Sequence, residues 1–274
     1  MLLHCGKFKL DLSHPKVMGI VNVTPDSFSD GGRHLALEAA ITHAQRLIEE
    51  GADILDIGGE STRPGAAPVS EQEELDRVLP VIEGLRDISI PISIDTYKPE
   101  VMRAAVAAGA CMVNDVNALQ AEGALKVLAG SNTAICLMHA QGVPQSMQRQ
   151  PHYQEIIAEV SNFLHERIAV AEAAGVTRDR IVIDPGFGFG KTLEHNLALL
   201  KNMQAFTLLG VPVLAGLSRK SMLGAITGRD VGERMAASVA AGLIAVQRGA
   251  SIVRVHDVRE TVDALKILKA VNSK

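Results

Sequence analysis

The chain has 274 residues, of which 47% are hydrophobic and 21% charged, as expected for a globular protein with a substantial core. Its formal net charge is -4 and only 3% of its residues are aromatic, which argues against nucleic acid as a partner. The longest apolar run, residues 235–246, is too short and too rich in Ala and Gly to span a bilayer, and residues 1–15 lack the apolar region of a signal peptide. We therefore expect a cytoplasmic protein with no membrane partner.

Eight short apolar runs alternate along the chain with segments of helical periodicity. The runs have the length of strands and cover residues 17–22, 54–58, 91–95, 112–115, 134–138, 181–184, 213–216 and 251–254. Apolar residues repeat with a 3.6-residue period in segments 37–50, 71–86, 100–108, 153–174 and 233–247, which predicts helices. Ser70 and Glu73 predict a capping box for the second helix. Gly51, Gly109 and Gly175 each follow a helical segment and predict C-terminal caps.

Eight alternating strand and helix units fit either an open doubly wound sheet or a closed barrel. The count of eight favours the α/β class and a TIM (β/α)8 barrel, as does the absence of G-x-G-x-x-G after the first strand. No linker or change in composition divides the chain, so residues 1–274 are predicted to form one domain. Residues 1–15 are predicted to close the bottom of the barrel.

Polar residues and glycines follow the C-terminal end of nearly every predicted strand, where barrel enzymes carry their chemistry. For one residue at a time, such as Asp115 or Asp257, a helix cap is as good an interpretation as a functional role. Capping does not explain Asp56, Asp95 and Asp184, because they lie within or at the end of apolar strands, where an unpaired carboxylate is costly. His139 is predicted to be a packed loop residue outside the site.

The polar residues at the strand ends predict a floor rich in hydrogen-bond acceptors. Asp95, Asn114 and Asp184 suit a flat heterocycle with adjacent N–H donors, such as a 2-amino-4-oxo pterin, since a carboxylate can accept two parallel hydrogen bonds. Lys220 would reach an acceptor on the ring. The chain shows no G-x-S-x-G and no evident Ser, His and Asp set, so a displacement with a good leaving group fits better than nucleophilic catalysis.

Basic and hydroxyl residues follow the last two strands, where barrels often bind phosphate: Lys220, Ser221, Arg254 and His256. Asn22 offers an oxygen ligand, and Mg2+ usually takes few protein ligands together with phosphate oxygens and water. Arg63 lies on a loop with Gly and Pro and could hold a second anion. These residues predict an anion-binding wall beside the floor.

Five segments of the chain resemble the signatures of the dihydropteroate synthase family: residues 19–32, 53–65, 184–191, 218–221 and 254–257. The likeness extends from about Val17 to the end. It implies a TIM barrel, assistance by Mg2+, a homodimer and sensitivity of the family to sulfonamides. It also implies condensation of (7,8-dihydropterin-6-yl)methyl diphosphate with 4-aminobenzoate to give 7,8-dihydropteroate and diphosphate.

The resemblance also implies a role for each matching residue. Those expected to act in catalysis are Lys220, Arg63 and Asp95. Those expected to bind the pterin diphosphate are Thr62, Asp95, Asn114, Asp184, Lys220, Arg254 and His256. Those expected to bind 4-aminobenzoate are Phe28, Arg63, Pro64, Phe189 and Ser221, while Asn22 is expected to meet the metal.

Two other functions are compatible with a pterin-binding floor. A methyltransferase that moves a methyl group from a folate to a corrinoid protein would keep the floor but would not need Arg254 with His256, nor residues 62–64. A non-catalytic pterin-binding relative would be expected to have lost members of the set Asn22, Arg63, Lys220 and His256, all of which are present.

Overall fold

The computed structural model describes residues 1–23, 32–61, 66–142, 147 and 151–272. Its strands are β1 Leu2–Cys5, β2 Phe8–Asp11, β3 Lys16–Asn22, β4 Ile54–Gly58, β5 Ile92–Asp95, β6 Met112–Asp115, β7 Ala134–Met138, β8 Ile181–Asp184, β9 Leu214–Ala215 and β10 Ile252–Val255. Its α-helices are α1 Gly32–Glu49, α2 Glu71–Leu85, α3 Pro99–Ala108, α4 Ala124–Ala129, α5 Ile156–Ala173, α6 Leu193–Lys201, α7 Gln204–Thr207, α8 Ser221–Thr227, α9 Met235–Gln247 and α10 Val258–Asn272. None of these helices combines the length and apolar character needed to cross a membrane.

Strands β3 to β10 form a parallel sheet in the order β8-β7-β6-β5-β4-β3-β10-β9. A parallel bridge between Ile183 of β8 and Val213, just before β9, brings the two edges together. The eight strands and the helices between them therefore confirm the predicted (β/α)8 barrel. The apolar core lies between the outer faces of the strands and these helices.

The first 12 residues form a separate antiparallel hairpin of β1 and β2. Leu3, Cys5 and Leu12 are buried in a cluster with residues near the N-terminal ends of the barrel strands, including Met18 and Ile54. The hairpin thus closes the bottom of the barrel, as predicted. Cys5, Cys111 and Cys136 are buried and form no disulfide.

The predicted helix ends lie within about three residues of those observed, except that the helix predicted to begin at residue 37 begins at Gly32. The helix predicted to begin at residue 153 begins at Ile156, because the Glu159 carboxylate accepts the backbone N–H groups of Gln154 and Glu155 at 2.7 and 2.8 Å. Only half of the predicted capping box forms at α2. The Ser70 hydroxyl accepts the Glu73 N–H at 3.2 Å, but the Glu73 carboxylate pairs with Arg77.

Glycine caps end three helices as predicted. Gly51, Gly109 and Gly175 have φ angles of 100°, 125° and 98°, a region that favours residues without a Cβ. A complete capping box occurs instead at α6, between Thr192 and His195.

The register of the barrel sorts the inward-facing side chains into layers. Asp95 of β5 lies opposite Gly58 of β4 and Asn114 of β6, at the C-terminal mouth. Asp56 precedes Gly58 by two residues and lies opposite Ser93, so it occupies the layer beneath. The barrel therefore places polar side chains in two successive layers below its mouth.

Candidate active site

Three polar side chains at strand ends form a buried floor at the mouth of the barrel. Asp95 ends β5, Asn114 lies near the end of β6 and Asp184 ends β8. Asn114 and Asp184 are 5% exposed and the Asp95 side chain is 10% exposed. The Asp184 Oδ1 accepts the backbone N–H of Gly186 at 2.7 Å, which fixes the orientation of that carboxylate. The barrel thus brings together the three floor residues predicted from the sequence.

Arg254 of β10 crosses the floor and binds two carboxylates. Its Nε donates to Asp56 Oδ2 at 2.5 Å and its Nη2 donates to Asp95 Oδ2 at 2.7 Å. The Asn114 amide also donates to Asp56 Oδ2, at 3.1 Å. Burial alone would lower the pKa of Arg254, but the Asp56 and Asp95 carboxylates outweigh it and raise that pKa. Arg254 therefore stays a cation within the floor.

Asp95 combines an elevated pKa with an unused acceptor. Burial raises the pKa of Asp95 to about 7, against the lowering effect of Arg254 and with a further raising effect of Asp56. Its Oδ1 atom is buried and has no hydrogen-bond partner in the described part of the chain. Buried acceptors are normally satisfied, so this oxygen is suited to the N–H donor of a ligand.

Lys220 lies at the edge of the floor, where β9 gives way to α8. Its Nζ donates to the carbonyl oxygen of Phe187 and lies 4.1 Å from the centre of the Phe189 ring. Burial lowers the pKa of Lys220 to about 8, although the Asp184 carboxylate acts to raise it. Ser221, the first residue of α8, is exposed beside it.

The loop after β8 is held in place by a second buried lysine. The Lys191 Nζ donates to the carbonyl oxygens of Gly186 and Phe189 at 2.9 and 3.0 Å, and lies 3.0 Å from His139 Nδ1. Burial lowers the pKa of His139 to about 3, with a further contribution from Lys191, so its imidazole is neutral at physiological pH. His139 also packs edge-on against Phe163, which confirms it as a packed loop residue. Lys191 thereby sets the position of Phe189.

We expect Gly186→Ala to destabilise the protein by about 3 kcal/mol, from left-handed backbone strain together with overpacking. Gly186 has a φ of +73°, and an added Cβ would lie 1.9 Å from the carbonyl oxygen of His139. Gly175→Ala is the matched control, because Gly175 has a φ of +98° but no atom within 4 Å of the added Cβ. It should cost about 1 kcal/mol in urea unfolding. Equal losses in the two variants would contradict this account of the loop.

Hydrogen bonds within two residue pairs join the loops after β9 and β10. The Ser218 hydroxyl lies 2.9 Å from His256 Nδ1, and the Arg219 Nε donates to Asp257 Oδ2 at 3.2 Å. Arg219 has a φ of +57°, an uncommon conformation for a residue with a side chain. The backbone at Arg219 is therefore held in the left-handed region, immediately before Lys220.

Asn22, predicted to meet a metal, is exposed at the end of β3 and lies opposite Gly58. Within the described ranges, no group of three or more His, Cys, Asp or Glu residues could hold a metal ion. One amide oxygen suits Mg2+ that takes its other ligands from phosphate oxygens and water. Phe28, Thr62, Arg63 and Pro64 lie outside the described residues.

Two residues of the site were not assigned a role from the sequence. Asp56 was recognised as costly to bury, but its partner Arg254 lies 198 residues away and only the closed barrel reveals it. Lys191 belongs to a recognised motif, but its contacts depend on the backbone of two loops. By contrast, the buried Asp115 accepts the backbone N–H groups of Asn117 and Leu119, which favours the structural interpretation of that residue.

Two carboxylates, an amide and a lysine at the mouth of a (β/α)8 barrel lie where barrel enzymes carry their chemistry. The family model described as Pterin binding enzyme matches residues 18–256, so the chain belongs to that class of barrel enzymes. Dihydropteroate synthase of Escherichia coli strain K12 is 50% identical over 274 residues, covering 100% of this chain and 97% of the relative. The chain is a member of the dihydropteroate synthase family, and it is a transferase.

Solved structures support the same relationship. Dihydropteroate synthase of Xanthomonas albilineans with 4-aminobenzoic acid has a TM-score of 0.94 and 56% identity, covering 100% of this chain and 98% of the other. The same organism's enzyme in complex with 7,8-dihydropteroate has a TM-score of 0.91 and 54% identity, covering 100% of both chains. The similarity in fold therefore extends over the entire chain.

Proposed function

We propose that the protein condenses (7,8-dihydropterin-6-yl)methyl diphosphate with 4-aminobenzoate, giving 7,8-dihydropteroate and diphosphate in the synthesis of folates. The observation that carries this proposal is the buried Asp95 Oδ1, an acceptor with no partner in the described structure, beside Asn114 and Asp184. In the reaction the C–O bond to diphosphate breaks, a C–N bond to the arylamine forms, and the amine loses one proton. Binding of the pterin ring is therefore the first task of the site.

The floor supplies hydrogen bonds that match one edge of the ring. Asp95 and Asp184 would accept N–H donors of the pterin, and such bonds to an ionised carboxylate are about twice as strong as neutral ones. Asn114 would contribute its amide oxygen, because its Nδ2 is already engaged by Asp56. Lys220, held near Asp184, would donate to an acceptor on the ring.

Departure of diphosphate needs no protein nucleophile. The bond electrons leave with the diphosphate, and the positive charge that develops on the pterin is stabilised by the carboxylates of Asp95 and Asp184. An arylamine is unprotonated at neutral pH, so its nitrogen can attack without a base. Catalysis then rests on orientation and on electrostatic stabilisation by groups that are already in place.

The remaining residues divide between diphosphate and 4-aminobenzoate. We assign the diphosphate to Thr62 and His256, with Arg254 at its inner end because its guanidinium is bound by Asp56 and Asp95. The residues that we assign to 4-aminobenzoate are Phe28, Arg63, Pro64, Phe189 and Ser221. Asn22 would hold Mg2+, which neutralises charge on the departing diphosphate when bound.

The test is diphosphate release from the purified protein given the pterin diphosphate and Mg2+, with and without 4-aminobenzoate. Release that depends on the amine and is accompanied by dihydropteroate would support the proposal. Binding of the pterin without any release would overturn it. That result would point to a folate-dependent methyltransferase or a non-catalytic binding protein.

We also propose that the protein is a homodimer through the outer face of α9. That helix has no charged residue, and its exposed positions Ala236, Ala240 and Ile244 recur every four residues beside the half-buried Val239 and Leu243. An uncharged apolar stripe of this kind suits a second copy of the same surface, because a two-fold interface is self-complementary. The neighbouring helix α8 adds Ile226, which is 55% exposed.

Ile244→Glu is expected to shift the protein from dimer to monomer, because two copies of the new carboxylate would be buried in a shared apolar interface. Sedimentation velocity at micromolar concentration measures the change. Leu208→Glu is the control, since Leu208 is 87% exposed and lies outside α9. A wild-type protein that is monomeric, or an Ile244→Glu variant that stays dimeric, would contradict this interface.

A further inference from the structure

Asp56 occupies the layer directly beneath the pterin-binding floor, and its contacts connect it to that floor. It is 0% exposed and lies opposite Ile20 and Ser93 in the register of the barrel. One of its oxygens, Oδ2, accepts both the Arg254 Nε at 2.5 Å and the Asn114 Nδ2 at 3.1 Å. Both donors belong to residues of the floor, so one buried oxygen orients two of the side chains expected around the ring.

Arg254 binds a second carboxylate in addition to that of Asp95. Asp95 Oδ2 accepts from Arg254 Nη2, and the same carboxylate is the one with an unused acceptor. If Asp95 were the only partner of the guanidinium, the ring N–H groups and Arg254 would compete for one carboxylate. Asp56 holds the guanidinium through a different nitrogen, Nε, so Arg254 keeps a counter-charge when Asp95 binds the ring.

We propose that Asp56 is a positioning residue for the reaction: it holds the Arg254 guanidinium and the Asn114 amide in place and so leaves Asp95 available to the pterin. This inference rests on the proposed function, because it concerns the same site. Asp56 acts through Arg254 and Asn114 and does not touch the substrate itself. The substitution Asp56→Asn removes its charge while it keeps the shape of the side chain.

We expect Asp56→Asn to weaken binding of 6-hydroxymethylpterin about 10- to 100-fold in isothermal titration calorimetry, because hydrogen bonds to a charged partner are lost. This probe carries the ring without the diphosphate, so it reports on the floor. The KM for 4-aminobenzoate at saturating pterin diphosphate should stay within about twofold, since Asp56 does not contact that substrate. A general loss of structure would instead alter both quantities.

The control is Asp53→Asn, the same substitution at the residue that immediately precedes β4. The Asp53 carboxylate accepts from Lys16 Nζ at 3.1 Å and from the Val17 N–H at 2.9 Å, at the bottom of the barrel. Asp53→Asn is expected to lower the stability of the protein but to leave its affinity for the pterin unchanged. Equal pterin affinity in Asp56→Asn and in the wild type would overturn the proposal.

A double-mutant cycle with Arg254→Met separates positioning from direct contact. If Asp56 acts chiefly through Arg254, adding Asp56→Asn to Arg254→Met should cost less than about threefold in pterin affinity. A further loss of tenfold or more would show that Asp56 binds the ring directly, and the proposal would be wrong. The double variant removes both buried charges together, so this comparison remains possible if Asp56→Asn by itself does not fold.

Wild-type protein that does not bind 6-hydroxymethylpterin would contradict the proposed function. Wild-type protein that binds it, with no effect of Asp56→Asn, would contradict only the role of Asp56.

Discussion

Replacing Lys220 by methionine should lower kcat/KM for the pterin diphosphate about 100- to 1000-fold, the loss caused by removing one well-placed donor from an active site. The ammonium group donates to the Phe187 carbonyl and lies against the Phe189 ring, so it is held at one point of the floor. Methionine keeps most of the side-chain volume but has no donor and no charge. The loss should appear in steady-state assays of diphosphate release.

Lys201→Met serves as the control for Lys220→Met. Lys201 ends α6 and its side chain is exposed, so the same change there should leave kcat/KM within about twofold, as is usual for surface positions. Thermal unfolding of both variants would separate a loss of structure from a loss of function. Unchanged kinetics in a folded Lys220→Met protein would remove Lys220 from the site.

Asp95→Asn should weaken pterin binding about 100-fold or more, because it removes the charge-assisted acceptor and puts an N–H donor against the donors of the ring. It should also change how the reaction depends on pH. Ionised Asp95 is the form that accepts hydrogen bonds, and burial raises the pKa of Asp95 to about 7. In the wild type, kcat/KM for the pterin diphosphate should therefore rise with pH through about 7.

The alkaline side of the same profile reports on Lys220. Only the protonated amine is a cation, and burial lowers the pKa of Lys220 to about 8, so kcat/KM should fall as the pH rises beyond that value. The profile of the free enzyme is thus expected to be bell-shaped. In Asp95→Asn the acidic limb should disappear and the alkaline limb should remain. A wild-type profile that is flat between pH 6 and 9 would contradict both assignments.

Ionised Asp95 favours binding of the ring, but its ionisation lowers the free energy of unfolding of the protein. Its pKa is raised in the folded protein above the ordinary value of about 3.9, so the folded state binds more protons than the unfolded chain between those two values. Stability contributed by Asp95 is therefore lost as the pH rises through that window. The buried carboxylate therefore lowers the stability of the barrel at neutral pH, while it provides an acceptor for the ring.

Much of the fold was predictable because its signals are local. Period and length of the apolar runs located all eight barrel strands, and Gly51, Gly109 and Gly175 marked helix ends by their tolerance of positive φ. The floor was predictable for a related reason: the C-terminal ends of parallel strands meet at one mouth, so polar residues such as Asp95 and Asp184 had to converge. The resemblance to a known family added the substrates, and the roles that it implies for individual residues stay predictions.

The sequence by itself determined the barrel, the closure of its bottom by the N-terminal residues, and which residues form the floor. Each of these depends on periodicity or on position relative to a strand end. Only the tertiary structure decided which groups pair within that floor. Arg254 lies in β10, far along the chain from Asp56 and Asp95, and the order of residues does not show that its guanidinium binds both carboxylates at 2.5 and 2.7 Å. The contact between Lys191 and His139 was likewise not predictable from the sequence, because it depends on the close approach of two loops. Pairing between buried polar side chains depends on their distance in space and on the low polarity of the interior. Both are established only when the sheet closes into a barrel.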